Sequence, residues 1–387
     1  MPSERATPPG PESHELAVVL TGGGARGAYQ VGLLRHLARR HPQLEIPILT
    51  GVSAGAINAV HLASQAGDLP GRVEALARLW RELSVDQVFR VDPASLFFHG
   101  ARWLAQLSLL GGRRGVPQVR GLVDASPLEE LLRRAFGSPD GGLPGIAANL
   151  EGGALRAVAV TTTNYATGET ITWCQGRSLA AWDRPQRRSV LAPLRVEHVL
   201  ASSALPLFFP AVQIEGGWYG DGGVRLHSPL SPAAHLGAGR ILAVSTRHAP
   251  SAQEVRRGES PGYPPPAQIL GVLYHAVFLD LLDQDAIHLE RVNRLLAGAA
   301  SERRAGERRI DLLVMRPSLD LGLVAGEFEP RLPRAFRFLT RRLGTRDSRS
   351  QDLISMLMFQ CDYLQRLIEL GEADAQARSD EIAAFLA

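Results

Sequence analysis

Ser53 lies at the centre of a Gly-x-Ser-x-Gly pentapeptide that runs from Gly51 to Gly55, directly after the apolar run IPIL. A nucleophilic serine needs a sharp turn between a strand and a helix, so that its hydroxyl projects clear of the sheet. Glycines on both sides remove the β carbons that would clash in such a turn. The start of the following helix adds a positive dipole end near the reacting oxygen. The pattern therefore predicts a nucleophile, and a tight turn with an exposed serine is the alternative interpretation.

A second glycine-rich stretch, LTGGGARGAYQVGLL, comes earlier in the chain. Such a loop can bind the pyrophosphate of a dinucleotide, or it can aim backbone N–H groups at the oxyanion of an ester under attack. A dinucleotide fold places an acidic residue near the end of the second strand, roughly 20 residues past the glycines. Glu45 instead precedes that strand, which runs straight into Ser53. We therefore favour an oxyanion hole, in which the amides around Gly23 and Gly24 and the amide of Ala54 are donors.

A serine hydroxyl also needs a base. The stretch YGDGGV places Asp221 at the end of a predicted strand between glycines, which let a carboxylate approach another loop closely. A simple hairpin aspartate is the alternative. A Ser-Asp-His triad would require a histidine after the acid, and His227, His235 and His248 satisfy that order without lying in a glycine-bounded loop. Because a carboxylate is a weak base for a hydroxyl, we expect burial to raise the pKa of Asp221.

The elements that position these residues follow from hydrophobic periodicity. Segment 16–21, LAVVLT, and the run IPIL are typical of buried strands, and each leads through a glycine turn into a helical pattern. Two such units predict α/β layers with a mostly parallel sheet. Two further strands are predicted in ALRAVAVTTTNYATGETITW, on either side of a turn near Thr167-Gly168, and another pair on either side of a turn at Gly216-Gly217. RILAVSTR and RIDLLVMRPS each predict one more strand. A helix is predicted for SPLEELLRRAF, with Ser126 as its N-cap.

Composition narrows the class of protein. The 387 residues are 45% hydrophobic and 21% charged, which is ordinary for a globular protein, and a net charge of +3 does not indicate a nucleic-acid partner. The two cysteines, Cys174 and Cys361, form no CxxC pair, so neither a disulfide framework nor a zinc site is indicated. No stretch reaches the ~18 apolar residues of a membrane span, and residues 1–14 lack a signal core. We expect a cytoplasmic protein with a disordered tail over residues 1–14.

The motifs GGGARG, GVSAG and DGG, in this order, resemble the three signatures of the patatin-like phospholipase family, and further similar stretches extend the likeness over residues 16–246. The resemblance implies a three-layer α/β/α fold with a mostly parallel central sheet and a Ser–Asp dyad, without a catalytic histidine, metal or cofactor. Ser53 becomes the nucleophile and Asp221 the proton acceptor. The implied oxyanion-hole residues are Gly22, Gly23, Gly24, Ala25, Arg26, Gly27 and Ala54, and the motif neighbours are Gly51, Gly55, Gly222 and Gly223.

One departure concerns the residue six places after the aspartate. Many relatives have asparagine there, in a pattern like DGGxxxNxP, and this chain has His227. The dyad is intact, but a histidine-assisted variant of the mechanism stays open. Arg26 has two interpretations as well: it orients the glycine loop, or it is a surface arginine at a helix start.

The resemblance also predicts the domain organisation. A catalytic domain is expected over residues 15–250. A mainly helical region, residues 251–387, would pack on it and contribute one strand near residues 309–316.

The implied substrates are ester lipids, either phospholipid or lysophospholipid. Transient contact with a membrane surface and a homodimer are further expectations. The segment SLFFHGARWLAQLSLLGGRRG would form an acyl-binding wall, contact a membrane, or pack on the core. For the helical patterns at 267–297 and 349–371 we favour packing or a dimer interface.

Three classes of function remain. The favoured one is a lipid acyl hydrolase. An acyltransferase would use the same acyl-enzyme, and a catalytically silent lipid-binding or regulatory protein would keep the fold. A nucleotide-binding protein is a more distant fourth, because the ribose carboxylate is missing.

Overall fold

The computed structural model describes residues 15–90, 121, 123–250, 269, 272, 281–298, 308–331 and 352–387. The predicted tail at residues 1–14 and the aromatic segment SLFFHGARWLAQLSLLGGRRG lie outside the described residues. None of the described helices is long and apolar enough to cross a membrane.

One sheet of ten strands runs through the described part of the chain. Its order is β10-β9-β1-β2-β3-β4-β6-β5, and β8 pairs with both β3 and β7. The five strands from β10 to β3 are mutually parallel, which confirms the predicted mostly parallel sheet. The strands are β1 (Leu16–Leu20), β2 (Ile48–Gly51), β3 (Ala157–Asn164), β4 (Thr170–Gly176), β5 (Asp183–Arg184), β6 (Arg187–Leu191), β7 (Val212–Ile214), β8 (Gly217–Asp221), β9 (Arg240–Val244) and β10 (Asp311–Met315).

Helices cover both faces of this sheet. They are α1 (Gly27–Arg40), α2 (Ala54–Ser64), α3 (Leu69–Arg81), α4 (Val85–Val88), α5 (Ser126–Ala135), α6 (Pro144–Glu151), α7 (Val196–Ser202), α8 (Ser231–His235), α9 (Leu281–Gly298), α10 (Leu321–Phe328), α11 (Asp352–Leu357), α12 (Cys361–Ala377) and α13 (Ser379–Leu386). A 3₁₀ turn, Gly24–Arg26, precedes α1.

The alternation of side chains along β1 divides the apolar core into two layers. Leu16, Val18 and Leu20 pack with α1, α2 and α3 on one face. Ala17 and Val19 face α8 and α9 on the other. Because both faces of a parallel strand are buried, the strand is apolar throughout. The result is the three-layer α/β/α architecture that the sequence predicts.

The C-terminal region contributes to both the sheet and the helical layer. β10 pairs in parallel with β9, within the sequence range predicted for a strand. α12 packs along α1. The helix Cys361–Ala377 thus lies on the first helix of the fold.

Two local predictions are wrong by one residue. Ser126 is the first residue of α5 and not its N-cap; its amide and hydroxyl both donate to the carboxylate of Asp124. The hairpin between β7 and β8 turns at Glu215 and Gly216, which both have positive φ, and Gly217 already belongs to β8. At the start of α5 the N-cap is Ala125, and in the hairpin Glu215 is one of the two turn residues.

Candidate active site

Ser53 occupies a sharp turn between β2 and α2. Its φ of 56° and ψ of −129° lie outside the regions that side chains other than glycine favour, a strain that typically costs about 1–3 kcal/mol. The neighbouring helix passes very close to β1: a β carbon on Gly55 would lie 2.1 Å from the carbonyl oxygen of Leu20. The glycine after the serine is therefore required by packing, as the pentapeptide suggested.

Three hydrogen bonds hold this strained turn. The Ser53 amide donates to Ser202 Oγ at 2.9 Å, and that hydroxyl donates to the Thr161 carbonyl on β3 at 2.7 Å. Ser203 Oγ donates to the Ser53 carbonyl at 3.2 Å. The two serines of the ASSALP stretch thus fix both main-chain groups of Ser53. These serines were not predicted from the sequence, although two adjacent hydroxyls at the end of the apolar helix α7 indicate hydrogen bonds to buried backbone groups.

Asp221 reaches the same place through the strand register. β2 pairs with β3 only as far as Gly51, opposite Val160. β8 pairs with β3 beyond that point, with Asp221 opposite Thr162. Because β4 occupies the other edge of β3 over the same residues, β8 continues on the β2 side, two residues past the end of β2. At about 3.3 Å per residue, this places Asp221 beside the turn that carries Ser53.

The Asp221 carboxyl group is completely buried. Its Oδ1 accepts a hydrogen bond from the Gly223 amide at 2.8 Å, whereas Oδ2 has no hydrogen-bond partner among the described residues. Burial raises the pKa of Asp221 to about 7, and the Gly223 amide and the Ser53 hydroxyl lower it only in part. The pKa of Asp221 is thus raised, as predicted for a general base. Because the Ser53 hydroxyl lowers the pKa of Asp221, it lies near the carboxyl group, and it makes no hydrogen bond to Oδ2.

The glycine loop lies against the same serine. A β carbon on Gly22 would be 3.0 Å from Ser53 Cβ and 3.7 Å from Ser53 Oγ. Gly24 has a φ of +56°, and a β carbon there would meet the carbonyl oxygen of Met356 at 2.1 Å. Only glycine fits at this position, because both the backbone conformation and the available space exclude a side chain.

The loop amides fall into two groups. The Arg26 amide donates to the Gly23 carbonyl at 3.1 Å, and the Gly27 amide donates to carbonyls of the 3₁₀ turn. In the turns and loops of the described residues, the amides of Gly22, Gly23, Gly24, Ala25 and Ala54 donate no backbone hydrogen bond. Those of Gly23, Gly24 and Ala54 are the donors that the motifs predict for an oxyanion.

A buried network of hydrogen-bonded side chains contacts the backbone of the glycine loop. Asn58 Nδ2 donates to the Gly27 carbonyl at 3.1 Å and to Gln30 Oε1 at 2.9 Å, and Trp80 Nε1 donates to Asn58 Oδ1 at 2.7 Å. Gln30 Nε2 donates to the Thr21 carbonyl at 2.8 Å, so the network joins both ends of the loop. This network was not predicted from the sequence, although Gln30 and Asn58 are amide side chains on the apolar faces of α1 and α2, which indicates buried hydrogen bonds.

Arg26 is buried and does not lie on the surface. Its Nε donates to Ser355 Oγ at 2.6 Å, and a terminal nitrogen donates to Asp352 Oδ1 at 2.6 Å. Both partners belong to α11, near the C-terminal end of the chain. The interpretation as a surface arginine is therefore wrong, and Arg26 joins the glycine loop to residues that no local pattern connects to it.

An apolar cleft opens beside Ser53. Together with the solvent in front of it, the cleft takes up about 700 Å³. Among the described residues, Gly24 and the side chains of Ser53 and Ser203 lie at its wall, and the rest of the lining is apolar: Ala54, Ile57, Leu79, Trp80, Leu83, Val88, Leu128, Leu131, Leu132, Leu205, Phe209, Met356, Leu357 and Phe359. A cleft of this composition suits an aliphatic chain whose ester carbonyl reaches Ser53.

The histidines considered as alternative bases have other surroundings. His235 stacks on Trp182 with ring centroids 4.8 Å apart, and burial lowers its pKa to about 4. His248 Nδ1 lies 3.0 Å from the Pro317 carbonyl. His227, the departure from the family pattern, is exposed.

Comparison with known proteins agrees with the motifs. The family model for patatin-like phospholipase matches residues 18–234. No curated protein sequence matches the chain. Among solved structures, human GIVD cytosolic phospholipase A2 aligns with a TM-score of 0.48 at 13% identity, over 97% of this chain and 60% of that chain. VipD from Legionella pneumophila aligns with a TM-score of 0.40 at 12% identity, over 96% and 67% of the two chains. This chain thus spans about three fifths of the length of the human enzyme.

Proposed function

Because the chain belongs to the patatin-like phospholipase family, we propose that it is a serine lipid acyl hydrolase that cleaves carboxylic esters of membrane lipids through Ser53 and Asp221. The observation that carries the proposal is the juxtaposition of a strained serine, a buried carboxyl group with a raised pKa and a loop of free amides at an apolar cleft. Phospholipids and lysophospholipids both have an acyl chain for such a cleft.

In the first half of the reaction, the Asp221 carboxylate takes the Ser53 proton while Oγ attacks the ester carbonyl carbon. The carbonyl oxygen becomes an oxyanion, which the amides of Gly23, Gly24 and Ala54 stabilise. Loss of one such donor typically costs about 3–4 kcal/mol of transition-state stabilisation. When the intermediate collapses, the ester C–O bond breaks, and the leaving alcohol takes the proton from Asp221. An acyl-Ser53 ester is left.

In the second half, Asp221 takes a proton from water, and the resulting hydroxide attacks the acyl carbon. Collapse returns the proton to Ser53 Oγ and releases a fatty acid. The raised pKa of Asp221 makes the carboxylate a stronger base than an exposed aspartate, which offsets part of the mismatch with a serine hydroxyl.

Because phospholipids reside in membranes, we propose a cytoplasmic protein that contacts a membrane surface transiently. A hydrolase transfers the acyl group to water and releases free fatty acid, whereas an acyltransferase would transfer the acyl group to an added alcohol. Mass spectrometry of both products in one assay separates the two reactions.

The test is fatty acid release from a panel of phospholipids and lysophospholipids by wild type and Ser53→Ala. We expect Ser53→Ala to lose activity by about 10³-fold or more. Ser64→Ala is the matched control, because this serine ends the same helix, α2, and does not line the cleft, so the variant should keep most of the activity. Equal release by wild type and Ser53→Ala would refute Ser53 as the nucleophile, and an equal loss in Ser53→Ala and Ser64→Ala would show that the loss is not specific to Ser53.

A further inference from the structure

One wall of the cleft beside Ser53 comes from the end of the chain. Met356, Leu357 and Phe359 line the cleft, and all three lie outside residues 18–234, the part that the family model matches. We call residues 354–359 the wall segment. The catalytic motifs therefore do not enclose the cleft by themselves.

The wall segment is fastened to the oxyanion loop. The carbonyl of Met356 is packed against Gly24, where no side chain would fit. Beside this contact, the buried guanidinium of Arg26 binds Asp352 and Ser355, and Ser355 Oγ also donates to the Asp352 carbonyl at 2.7 Å. Because this ion pair is shielded from water, loss of either partner would leave the other as a buried charge without its counter-ion. The pair therefore stabilises the contact between the wall segment and the oxyanion loop.

The other end of the wall segment meets an aromatic cluster. Phe359 packs edge-on to Phe89, with ring centroids 6.3 Å apart. Phe89 also packs edge-on to Phe208 and Phe209, at 5.2 Å and 5.9 Å. Phe359 and Phe209 face the cleft, whereas Phe89 and Phe208 stand behind them. Between Leu357 and Phe359, the side chain of Met358 is fully buried and does not line the cleft.

We infer that the wall segment sets which acyl chains the cleft accepts, and that Phe359 is a residue that determines chain length. The inference rests on the proposed function for the identity of the ligand, a fatty acyl chain. Met356 and Leu357 line the cleft, so an aliphatic chain bound there lies against them. The Phe359 ring occupies space that the further methylenes of a longer chain would need. Each methylene that gains burial strengthens binding by about fourfold, the equivalent of ~0.8 kcal/mol.

The experiment measures binding, so that it does not require catalysis. Octanoate, laurate and palmitate compete with a dansyl-labelled fatty acid for the full-length protein, in wild type, Phe359→Ala, Phe359→Trp and Phe385→Ala. We expect Phe359→Ala to raise the affinity for palmitate relative to octanoate by about fifteenfold, which corresponds to two methylenes that gain burial. Phe359→Trp should change this ratio in the opposite direction. Phe385→Ala, the same replacement at a partly buried phenylalanine outside the cleft and the wall segment, should leave the ratio unchanged.

An unchanged ratio in both Phe359 variants overturns the inference, and so does an equal change in Phe385→Ala. Failure of all three fatty acids to compete in wild type also overturns it. If Phe359→Ala does not fold, Phe359→Leu replaces it, with a smaller change in the same direction. A protein that selects chain length but releases no fatty acid would support the wall segment and refute the hydrolase, so the two proposals fail separately.

Discussion

Replacement of Asp221 by asparagine should increase the stability of the folded protein by an amount that depends on pH. Burial raises the pKa of this carboxyl group from 3.8 to about 7. Between these two values the folded protein keeps a proton that the unfolded chain has released. The stability of the wild type must therefore fall as the pH rises through this interval, and it levels off above it.

The magnitude follows from the two pKa values. A rise from 3.8 to about 7 corresponds to at most about 4 kcal/mol of lost stability above pH 7. Asparagine has nearly the same shape, keeps an oxygen for the Gly223 amide and has no charge. The stability of Asp221→Asn relative to wild type should therefore grow by about 1.4 kcal/mol per pH unit between about pH 5 and 7.

Urea unfolding at fixed temperature, at pH values from about 5 to 8, measures this difference. Asp183→Asn is the control, because Asp183 is exposed on an edge strand, and its effect should not vary over this range. A difference between Asp221→Asn and wild type that is constant with pH, or that shrinks as the pH rises, would contradict the reasoning. It would mean that Asp221 is ionised in the folded protein at little cost.

Three further predictions concern activity and packing. The rate kcat/KM for ester hydrolysis should rise with pH through about 7, because Asp221 must be ionised to act as a base; a rate that falls over this range would exclude that role. Gly24→Ala should abolish activity, since its β carbon would collide with a carbonyl oxygen, whereas Gly67→Ala, also at positive φ but in open space, should only reduce thermal stability modestly. Asn58→Leu should cost about 2–4 kcal/mol in urea unfolding and lower kcat, because buried polar groups lose their partners. Asn149→Leu, which loses two hydrogen bonds to backbone carbonyls elsewhere, should leave kcat unchanged.

Local patterns were sufficient for much of the fold. The buried strands β1, β2, β9 and β10 and the helices after the first two strands were predicted from apolar runs and periodicity, because short-range sterics and burial act on neighbouring residues. The errors at Ser126 and at the β7–β8 hairpin were shifts of one residue, since several adjacent residues can occupy the same turn position.

The candidate site divides in the same way. The sequence by itself determined the type of chemistry. Its local features are a serine in a glycine turn, an aspartate at a strand end and a glycine-rich loop that can present backbone amides. The order of these motifs indicated the family. It also indicated that the base should be buried, because an exposed carboxylate would be too weak.

Only the tertiary structure decided how these parts are held and what surrounds them. The bond between Arg26 and Asp352 joins residues 326 positions apart, and the one between the Ser53 amide and Ser202 spans 149. Phe359 lines the cleft beside Ser53 although the two residues are far apart in the sequence. Contacts of this kind depend on strand register and helix packing, which the whole chain settles together, and no local period in the sequence encodes them.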